Sequence, residues 1–292
     1  MKSRIRWVVA LRPEATPLIE RFSLALVRKE SGMFPVYASP ERDTELIVSG
    51  PGKTAAAAAT AYLAAGDGSA DLVSGWINFG VAGCGGASYG TAFLGGKITD
   101  ESTGRSWYPP AIGPGNVEPP RVEILTVDRP TDRYPPGGAL VEMEASGFYP
   151  IALRAASAEL CQAVKVVSDD PAHSVKDVDK RRVTEICGEA VDTVMPWCRA
   201  FRETVEAEAA RLADPPGYAE LLNRLRFSET QRHQLRRLLQ QWASRHPGRD
   251  AGAEMSLEES REAKACLNSL RKKLWESDGP DARRRRESGE TG

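Results

Sequence analysis

Hydrophobic and polar positions follow two different patterns along this chain. Up to about residue 195, short apolar runs alternate with segments whose apolar residues recur at helical spacing. Strands are predicted at 5–11, 45–48, 72–79, 92–98, 122–127, 139–141 and 163–167, and helices at 14–30, 53–65 and 145–156. This order predicts an α/β fold, in which a sheet carries helices on its faces.

Beyond about residue 178 the pattern is helical only. Helices are predicted at 190–212, 218–226, 229–246 and 257–275, with Ser228 as an N-cap. The segment 101–120, rich in Gly, Pro and Ser, is predicted to be a long loop. We therefore predict an α/β domain at 1–195, an all-α extension at 196–276 and a disordered tail at 277–292.

The composition is that of a soluble globular protein. The 292 residues are 41% hydrophobic and 27% charged, and the formal net charge of −1 argues against binding nucleic acid or membrane through overall charge. The N-terminal apolar run of about five residues is too short for a signal-peptide core or a membrane span. We therefore expect a cytoplasmic protein.

Cysteine and histidine are sparse. The five cysteines are widely spaced without a CxxC pair, and the chain has three histidines. These numbers favour neither a disulfide scaffold nor a zinc site. We predict that the protein uses no metal and no organic cofactor.

The sequence GPGKT at 50–54 invites comparison with a phosphate-binding P-loop. A P-loop needs a glycine five positions before Gly52, and this position is Ile47, inside an apolar run. A loop of the required length is therefore missing. The pattern instead predicts a strand, a tight turn and a helix that begins at Lys53.

Acidic residues follow several predicted strands at their carboxyl ends. Glu14 follows the first strand, Glu142 and Glu144 follow the strand at 139–141, and Asp169 follows the strand at 163–167. Ligands of open α/β sheets bind at such strand ends. For each carboxylate taken alone, stabilisation of a helix N-terminus is favoured over catalysis, and their joint placement shifts this balance.

Five motifs occur in an order that resembles a known superfamily. They are VVALRPEATPL, VSGPGKTAAAAAT, INFGVAGCGG, LVEMEASGF and VVSDD. In this order they resemble the purine nucleoside phosphorylases, and most of all the methylthioadenosine/S-adenosylhomocysteine nucleosidases. The resemblance covers about residues 4–180. It implies a nucleoside phosphorylase-like mixed sheet flanked by helices, with the all-α segment as an extension, and a homo-oligomer, usually a dimer.

The resemblance also implies roles in cleaving the N-glycosidic bond of a purine nucleoside. Asp169 would protonate or hydrogen-bond N7 of the leaving base, with Ser168 orienting its carboxyl. Glu14 would position and deprotonate the attacking water. Such a reaction passes through an oxocarbenium-like sugar and needs assistance at both ends of the bond.

The remaining substrate contacts implied by the resemblance come from the Glu142–Glu144 segment and the GPGK turn. Glu142, Met143 and Glu144 are predicted to bind the substrate, with Glu144 accepting from the ribose hydroxyls. Met143 would pack under the sugar, although a core methionine is equally compatible with the pattern. Pro51 would form a wall of the pocket for the 5′ substituent, unless the turn serves packing only.

The chain departs from the nucleosidase pattern at two places. Val81 lies in the substrate-binding GVAG segment where these enzymes usually have serine, and Arg129 stands where an aromatic base platform is expected. Tyr134, Trp107 or Tyr108 are candidate replacements for the platform. Base recognition is therefore the least defined part of the predicted site.

The sequence is compatible with three functions. Glu14 favours hydrolysis, because a carboxylate near the attacking group repels phosphate. Arg12 and Arg105 keep phosphorolysis open, since arginines hold phosphate. The two departures also allow a catalytically weakened protein that binds nucleosides or recruits a partner. We predict hydrolysis of an adenosine-type nucleoside with a modified 5′ position.

The helical extension carries a basic face. Its arginines are Arg224, Arg226, Arg232, Arg236, Arg237 and Arg245. A solvated face is the ordinary interpretation, and a docking surface for a protein or nucleic acid is the alternative. Both are kept as hypotheses.

Overall fold

The structure of the chain is a computed structural model. The structure describes residues 2–28, 34–66, 72–112, 118–171, 179–249, 251 and 262–276. The disordered tail predicted at 277–292 lies outside the described residues. The chain divides into two compact units, at 1–211 and 212–292.

The first unit holds the predicted α/β arrangement. Its strands are β1 (Lys2–Val9), β2 (Ala25–Arg28), β3 (Val36–Ala38), β4 (Thr44–Val48), β5 (Leu72–Gly83), β6 (Ala92–Asp100), β7 (Ser106–Trp107), β8 (Arg121–Thr126), β9 (Leu140–Glu142) and β10 (Cys161–Asp169). Its helices are α1 (Arg12–Arg21), α2 (Lys53–Ala65), α3 (Ala145–Ala155) and α4 (Lys180–Leu212). The predicted fold class, a mixed sheet flanked by helices, is confirmed.

The strands form one sheet that partly closes on itself. Their order is β10-β6-β8-β9-β5-β1-β4-β3-β2, and β10 also pairs with β5. The pairs β1/β4, β1/β5 and β10/β5 are parallel, whereas β5/β9 is antiparallel. The carboxyl ends of β1, β4, β5 and β10 therefore meet on one side, and Gly83 at the end of β5 pairs with Val141 of β9.

Two cores lie on opposite faces of the sheet. Strand β1 shows the alternation, because Trp7 and Val9 belong to the core shared with α1 and α4, while Val8 belongs to the core shared with α2 and α3. Successive residues of a strand point to opposite faces, so a strand covered on both sides is apolar throughout. This double cover explains the continuous apolar runs in the sequence.

The structure corrects the predicted boundaries at the N-terminal helix. A single helix was predicted at 14–30, but α1 ends at Arg21 and the chain returns as strand β2. Ser23 has φ of 50°, which ends the helix, and β2 pairs antiparallel with β3. Sheet pairing thus prevails over the local helical pattern.

Two further boundaries differ from the prediction. The long loop predicted at 101–120 contains β7, which pairs antiparallel with β6. The domain boundary predicted at residue 195 falls within α4, and the two units divide after Arg211. Helix α4 is a continuation of the α/β unit because its apolar stripe, from Val183 to Ala209, packs in the first core.

The second unit is helical, as the sequence predicts. It contains α5 (Tyr218–Arg224), α6 (Glu229–Arg245) and α7 (Ala263–Glu276). Ser228 caps α6 as predicted, since its side chain accepts from the Gln231 backbone amide. In the basic face, Arg236 contacts Asp214 at 2.5 Å and stacks over the Tyr218 ring. Docking of a partner on this face stays a prediction.

The GPGKT segment forms a turn and a helix start. Gly50 and Gly52 have φ of 80° and 99°, and α2 begins at Lys53. Ile47 is buried in β4, so no phosphate-binding loop precedes the turn. The start of α2 lies against the start of α3, where a Cβ on Gly147 would meet the Lys53 carbonyl oxygen.

We predict that Gly147→Ala lowers the free energy of unfolding by about 2 kcal/mol or more, because the added methyl group overpacks the α2–α3 contact. Urea denaturation followed by circular dichroism measures the change. Gly188→Ala in α4 is the matched control, since its Cβ would meet only Pro17 atoms at 4.0 Å. A Gly147→Ala protein as stable as the control would contradict this packing.

Candidate functional site

A cavity of about 350 Å³ opens where the strand ends meet. Its wall contains every residue that the sequence proposed for the site: Glu14, Pro51, Val81, Glu142, Met143, Glu144, Ser168 and Asp169. These residues come from distant parts of the chain and lie at the ends of β5, β9 and β10 or in the segments that follow β1, β4 and β9. Four of them are carboxylates.

Glu14 is buried at the first turn of α1. Its Oε2 accepts the Leu11 backbone amide at 2.8 Å and its Oε1 accepts the Val81 backbone amide at 2.9 Å. Burial raises the pKa of Glu14 to about 7, and the nearby Glu144 carboxylate acts in the same direction, against the two backbone amides. A carboxyl with a pKa near neutrality is able to exchange a proton at physiological pH.

Asp169 ends β10 and is held by neighbours on both oxygens. Ser168 Oγ donates to Oδ1 at 2.6 Å, and Tyr134 Oη donates to Oδ2 at 2.8 Å. The Cys84 backbone amide donates to the Asp169 carbonyl oxygen at 2.9 Å, which joins the ends of β5 and β10. The carboxyl therefore has a fixed position in the cavity wall.

Lys165 is a component of the site that the sequence analysis missed. Its side chain is fully buried, with Nζ 2.7 Å from Glu142 Oε2 and 3.8 Å from Glu144 Oε2. Burial lowers the pKa of Lys165, but the Glu142 and Glu144 carboxylates outweigh it and the net direction is upward. The signal was a single lysine within the apolar strand AVKVV, where every neighbour is buried.

Glu142 lies in the cavity wall but uses its carboxylate within the protein. Besides Lys165, it accepts from Thr126 Oγ1 at 2.6 Å and from the backbone amides of Glu144 and Ala145, each at 2.9 Å. A carboxylate has about four acceptor positions, and these donors occupy them. Glu142 is thus placed to anchor the segment that carries Met143 and Glu144.

Glu144 connects this segment to the GPGK turn. Its Oε1 accepts the Gly52 backbone amide at 2.9 Å. Burial raises the pKa of Glu144, an effect that Lys165 opposes and Glu142 reinforces. The bond fixes Pro51, which lines the cavity, against the end of β9. Lys53, the first residue of α2, forms ion pairs with Asp100 and Asp128. Its Nζ lies 3.0 Å from Asp100 Oδ2 and 2.8 Å from Asp128 Oδ1.

The structure also places the residues at which the chain departs from the nucleosidase pattern. Val81 supplies a backbone amide to Glu14, although it has no hydroxyl group. Arg129 is exposed and does not line the cavity. Of the candidate aromatic replacements, Tyr134 contacts Asp169 through its hydroxyl, whereas Tyr108 is 67% exposed. Trp107 belongs to β7 and lies near Arg105.

Several apolar wall residues were not among the predicted site residues. Val127, Pro130 and Thr131 come from the chain after β8, and Val183 comes from α4. Within the described ranges, no three His, Cys, Asp or Glu side chains are grouped so that they could hold a metal ion. None of the described helices has the length and apolar character needed to cross a membrane.

Comparison with solved structures relates this fold to nucleosidases. The apo 5′-methylthioadenosine nucleosidase of Arabidopsis thaliana matches with a TM-score of 0.55 and 16% identity, over 69% of this chain and 96% of that chain. The methylthioadenosine/S-adenosylhomocysteine nucleosidase of Neisseria meningitidis, in complex with methylthio-immucillin-A, matches with a TM-score of 0.51 and 19% identity, over 66% and 98%.

A third similar structure is that of a hydrolase with a different name. The futalosine hydrolase of Helicobacter pylori matches with a TM-score of 0.50 and 14% identity, over 67% of this chain and 98% of that chain. No protein-family model matches the chain, and no sequence among the curated proteins matches it. The resemblance predicted from the sequence is confirmed at the level of the fold, which this chain shares with the nucleosidases.

We predict that Lys165→Met lowers the free energy of unfolding by about 3 kcal/mol or more at pH 7, because it leaves the Glu142 carboxylate buried without its counter-charge. Chemical denaturation of the variant measures the loss. Adding Glu142→Gln to Lys165→Met should recover part of the stability, since the double variant lacks the unpaired charge. A single variant as stable as the wild type would show that the ion pair is unimportant.

We predict that burial of Glu14 makes stability fall as pH rises. The folded-state pKa lies above the ordinary value of 4.5, so the folded state holds the proton longer, and ionisation costs stability between pH 4.5 and about 7. Relative to Glu14→Gln, the wild type should lose roughly 3 kcal/mol across that window. Glu20→Gln, an exposed position on the same helix, should show no such change.

Proposed function

We propose that this protein hydrolyses the N-glycosidic bond of a purine nucleoside. The observation that carries the proposal is the placement of Glu14 and Asp169 in the wall of one cavity, each buried and each held by different neighbours. Cleavage of this bond needs a group that activates water and a group that assists the leaving base. Two carboxyl groups in different environments suit these two roles.

Glu14 is proposed to activate the water. Backbone amides fix both carboxylate oxygens, and the pKa of about 7 makes Glu14 a stronger base than an ordinary glutamate while it still ionises near neutral pH. Its burial excludes bulk solvent from the carboxylate, so the proton of the attacking water passes to Glu14 Oε1 or Oε2. The resulting hydroxide adds to the anomeric carbon as the bond to the base breaks.

Asp169 and Glu144 are proposed to bind the two ends of the nucleoside. Asp169 protonates or hydrogen-bonds N7 of the leaving purine, and Ser168 holds its carboxyl in place. Glu144 accepts hydrogen bonds from the ribose hydroxyls with the acceptor capacity that the Gly52 amide leaves free. Met143 packs under the sugar, and Glu142 acts by anchoring this segment to Lys165.

The charge around the cavity supports hydrolysis over phosphorolysis. Among the described residues that line the cavity, four are carboxylates and none is arginine or lysine. A dianionic phosphate needs cationic or hydrogen-bond donors. The guanidinium of Arg12 lies 4.8 Å from the Tyr37 ring centre, and that of Arg105 lies 5.7 Å from the Trp107 ring centre. Neither arginine lines the cavity.

The proposed substrate is an adenosine-type nucleoside with a modified 5′ position, such as methylthioadenosine. Two solved structures that share the fold are those of methylthioadenosine nucleosidases, and this similarity supports the choice of substrate. The cavity wall also contains apolar groups suited to an apolar 5′ substituent, including Leu11, Pro51, Val127 and Val183. A cytoplasmic location and a homodimeric state stay predictions.

We predict that the protein releases free base from a purine nucleoside without phosphate. A panel of nucleosides, assayed by chromatography with and without phosphate, measures this activity. Glu14→Gln and Asp169→Asn should each lower kcat/KM by about 100-fold to 10,000-fold, as expected for loss of a general acid or base. For the wild type, kcat/KM should fall as pH drops below about 7, because Glu14 then takes up a proton.

Glu20→Gln serves as the control, because this exposed glutamate lies on the same helix outside the cavity. A requirement for phosphate with formation of ribose 1-phosphate would replace hydrolysis by phosphorolysis. Binding of a nucleoside without release of base would point to a binding protein. If Glu14→Gln and Asp169→Asn both retain wild-type rates, the assigned roles are wrong.

A further inference from the structure

Tyr134 occupies a position that the roles proposed above do not explain. It lies on the segment between β8 and β9, and its hydroxyl donates to Asp169 Oδ2 at 2.8 Å. The residue itself does not line the cavity, whereas Asp169 does. The phenol therefore contacts the carboxyl from outside the space that a ligand would fill.

The backbone makes room for this contact. A Cβ on Gly83 would meet both Asp169 Oδ2 and the Tyr134 ring, and a Cβ on Gly85 would lie 2.9 Å from Tyr134 Cβ. Distances this short do not occur for real side chains, so both positions need glycine while Tyr134 holds its place. The sequence GCGG after β5 thus accommodates the ring.

Two hydroxyl groups hold the carboxyl of Asp169. Ser168 Oγ donates to Oδ1 and Tyr134 Oη donates to Oδ2, so each oxygen accepts from a different neighbour. Two donors on two oxygens fix the orientation of the carboxyl plane. Burial, followed by the hydrogen bond to Asp169, raises the pKa of Tyr134, so the phenol keeps its proton and stays a donor.

We propose that Tyr134 is a positioning residue for Asp169, which orients this carboxyl toward the leaving base. The proposal rests on the hydrolase function proposed above. In the reaction, the glycosidic bond breaks with its electron pair going to the purine, and N7 takes a proton either from Asp169 or, with Asp169 as the hydrogen-bond acceptor of N7–H, from solvent. Tyr134 neither gives up nor gains a proton in this step.

Other ionisable groups around this carboxyl are unchanged by a substitution at Tyr134. Asp132 and Asp170 act on the phenol, and Lys165 lies on the same strand as Asp169. Glu14, Glu142 and Glu144 line the same cavity. Removing the Tyr134 hydroxyl therefore changes one hydrogen bond in an otherwise constant electrostatic environment.

Tyr134→Phe tests the proposal, because the ring still fills the space beside Gly83 and Gly85. With ¹³C-labelled aspartate, and with Asp169→Asn for assignment, the NMR resonance of the Asp169 carboxyl carbon should shift in Tyr134→Phe, because Oδ2 loses its donor. In the nucleoside assay kcat should fall about tenfold with KM changed less than twofold, as expected when a group that orients the transition state is lost. Tyr108→Phe, at an exposed position, should change neither quantity.

A glycine pair gives a second test that leaves the phenol intact. Gly85→Ala should displace Tyr134 and reproduce the effects of Tyr134→Phe, whereas a Cβ on Gly86 would meet only Gly138 Cα, at 3.5 Å, so Gly86→Ala should behave like the wild type. An unchanged Asp169 carboxyl resonance, or an unchanged kcat in Tyr134→Phe, overturns the proposal. If the wild type releases no base from any nucleoside, the hydrolase function fails, and the resonance still decides whether Tyr134 holds the carboxyl of Asp169.

Discussion

The site depends on one buried charge, the ammonium of Lys165. Three glutamates crowd the strand ends, and carboxylates brought together without a counter-charge repel one another. Lys165 lies beneath them in a strand with no exposed residue, 2.7 Å from Glu142. Its charge allows Glu142 to anchor the Glu142–Glu144 segment, and Glu144 in turn holds the GPGK turn. The positions of helices α2 and α3 at the cavity follow from this chain of contacts.

Environment gives the site carboxylates different properties from the same chemical group. Burial makes Glu14 bind a proton more tightly than an ordinary glutamate, against the effect of two backbone amides. Asp169 accepts from two hydroxyl groups, and Glu142 accepts from an ammonium and two backbone amides. Glu14 is therefore a basic group, Asp169 is an oriented acceptor, and Glu142 is a structural anchor. A cavity lined by such groups is suited to a reaction in which positive charge develops on a sugar.

Much of this arrangement could be predicted from the sequence, because strands that are buried on both faces have continuous apolar sequences. The motifs at their ends located all the predicted wall residues, from Glu14 to Asp169, in one cavity. Periodicity could not separate α1 from β2, because β2 is short and its residues are mostly exposed. The pattern places Lys165 within an apolar strand without indicating its partners, and the contact of Tyr134 arises from a segment without regular periodicity. Both depend on tertiary neighbours that a single sequence does not specify.

The burial of Glu14 has a consequence for how this chain evolves. Above neutral pH the ionised carboxyl works against the stability of the fold, as groups in functional sites often do. A substitution that removes this carboxyl is therefore not opposed by a loss of folding stability. A lineage with no use for this carboxylate would drift toward a neutral residue there, so Glu14 marks a position where selection for chemistry and selection for stability oppose each other.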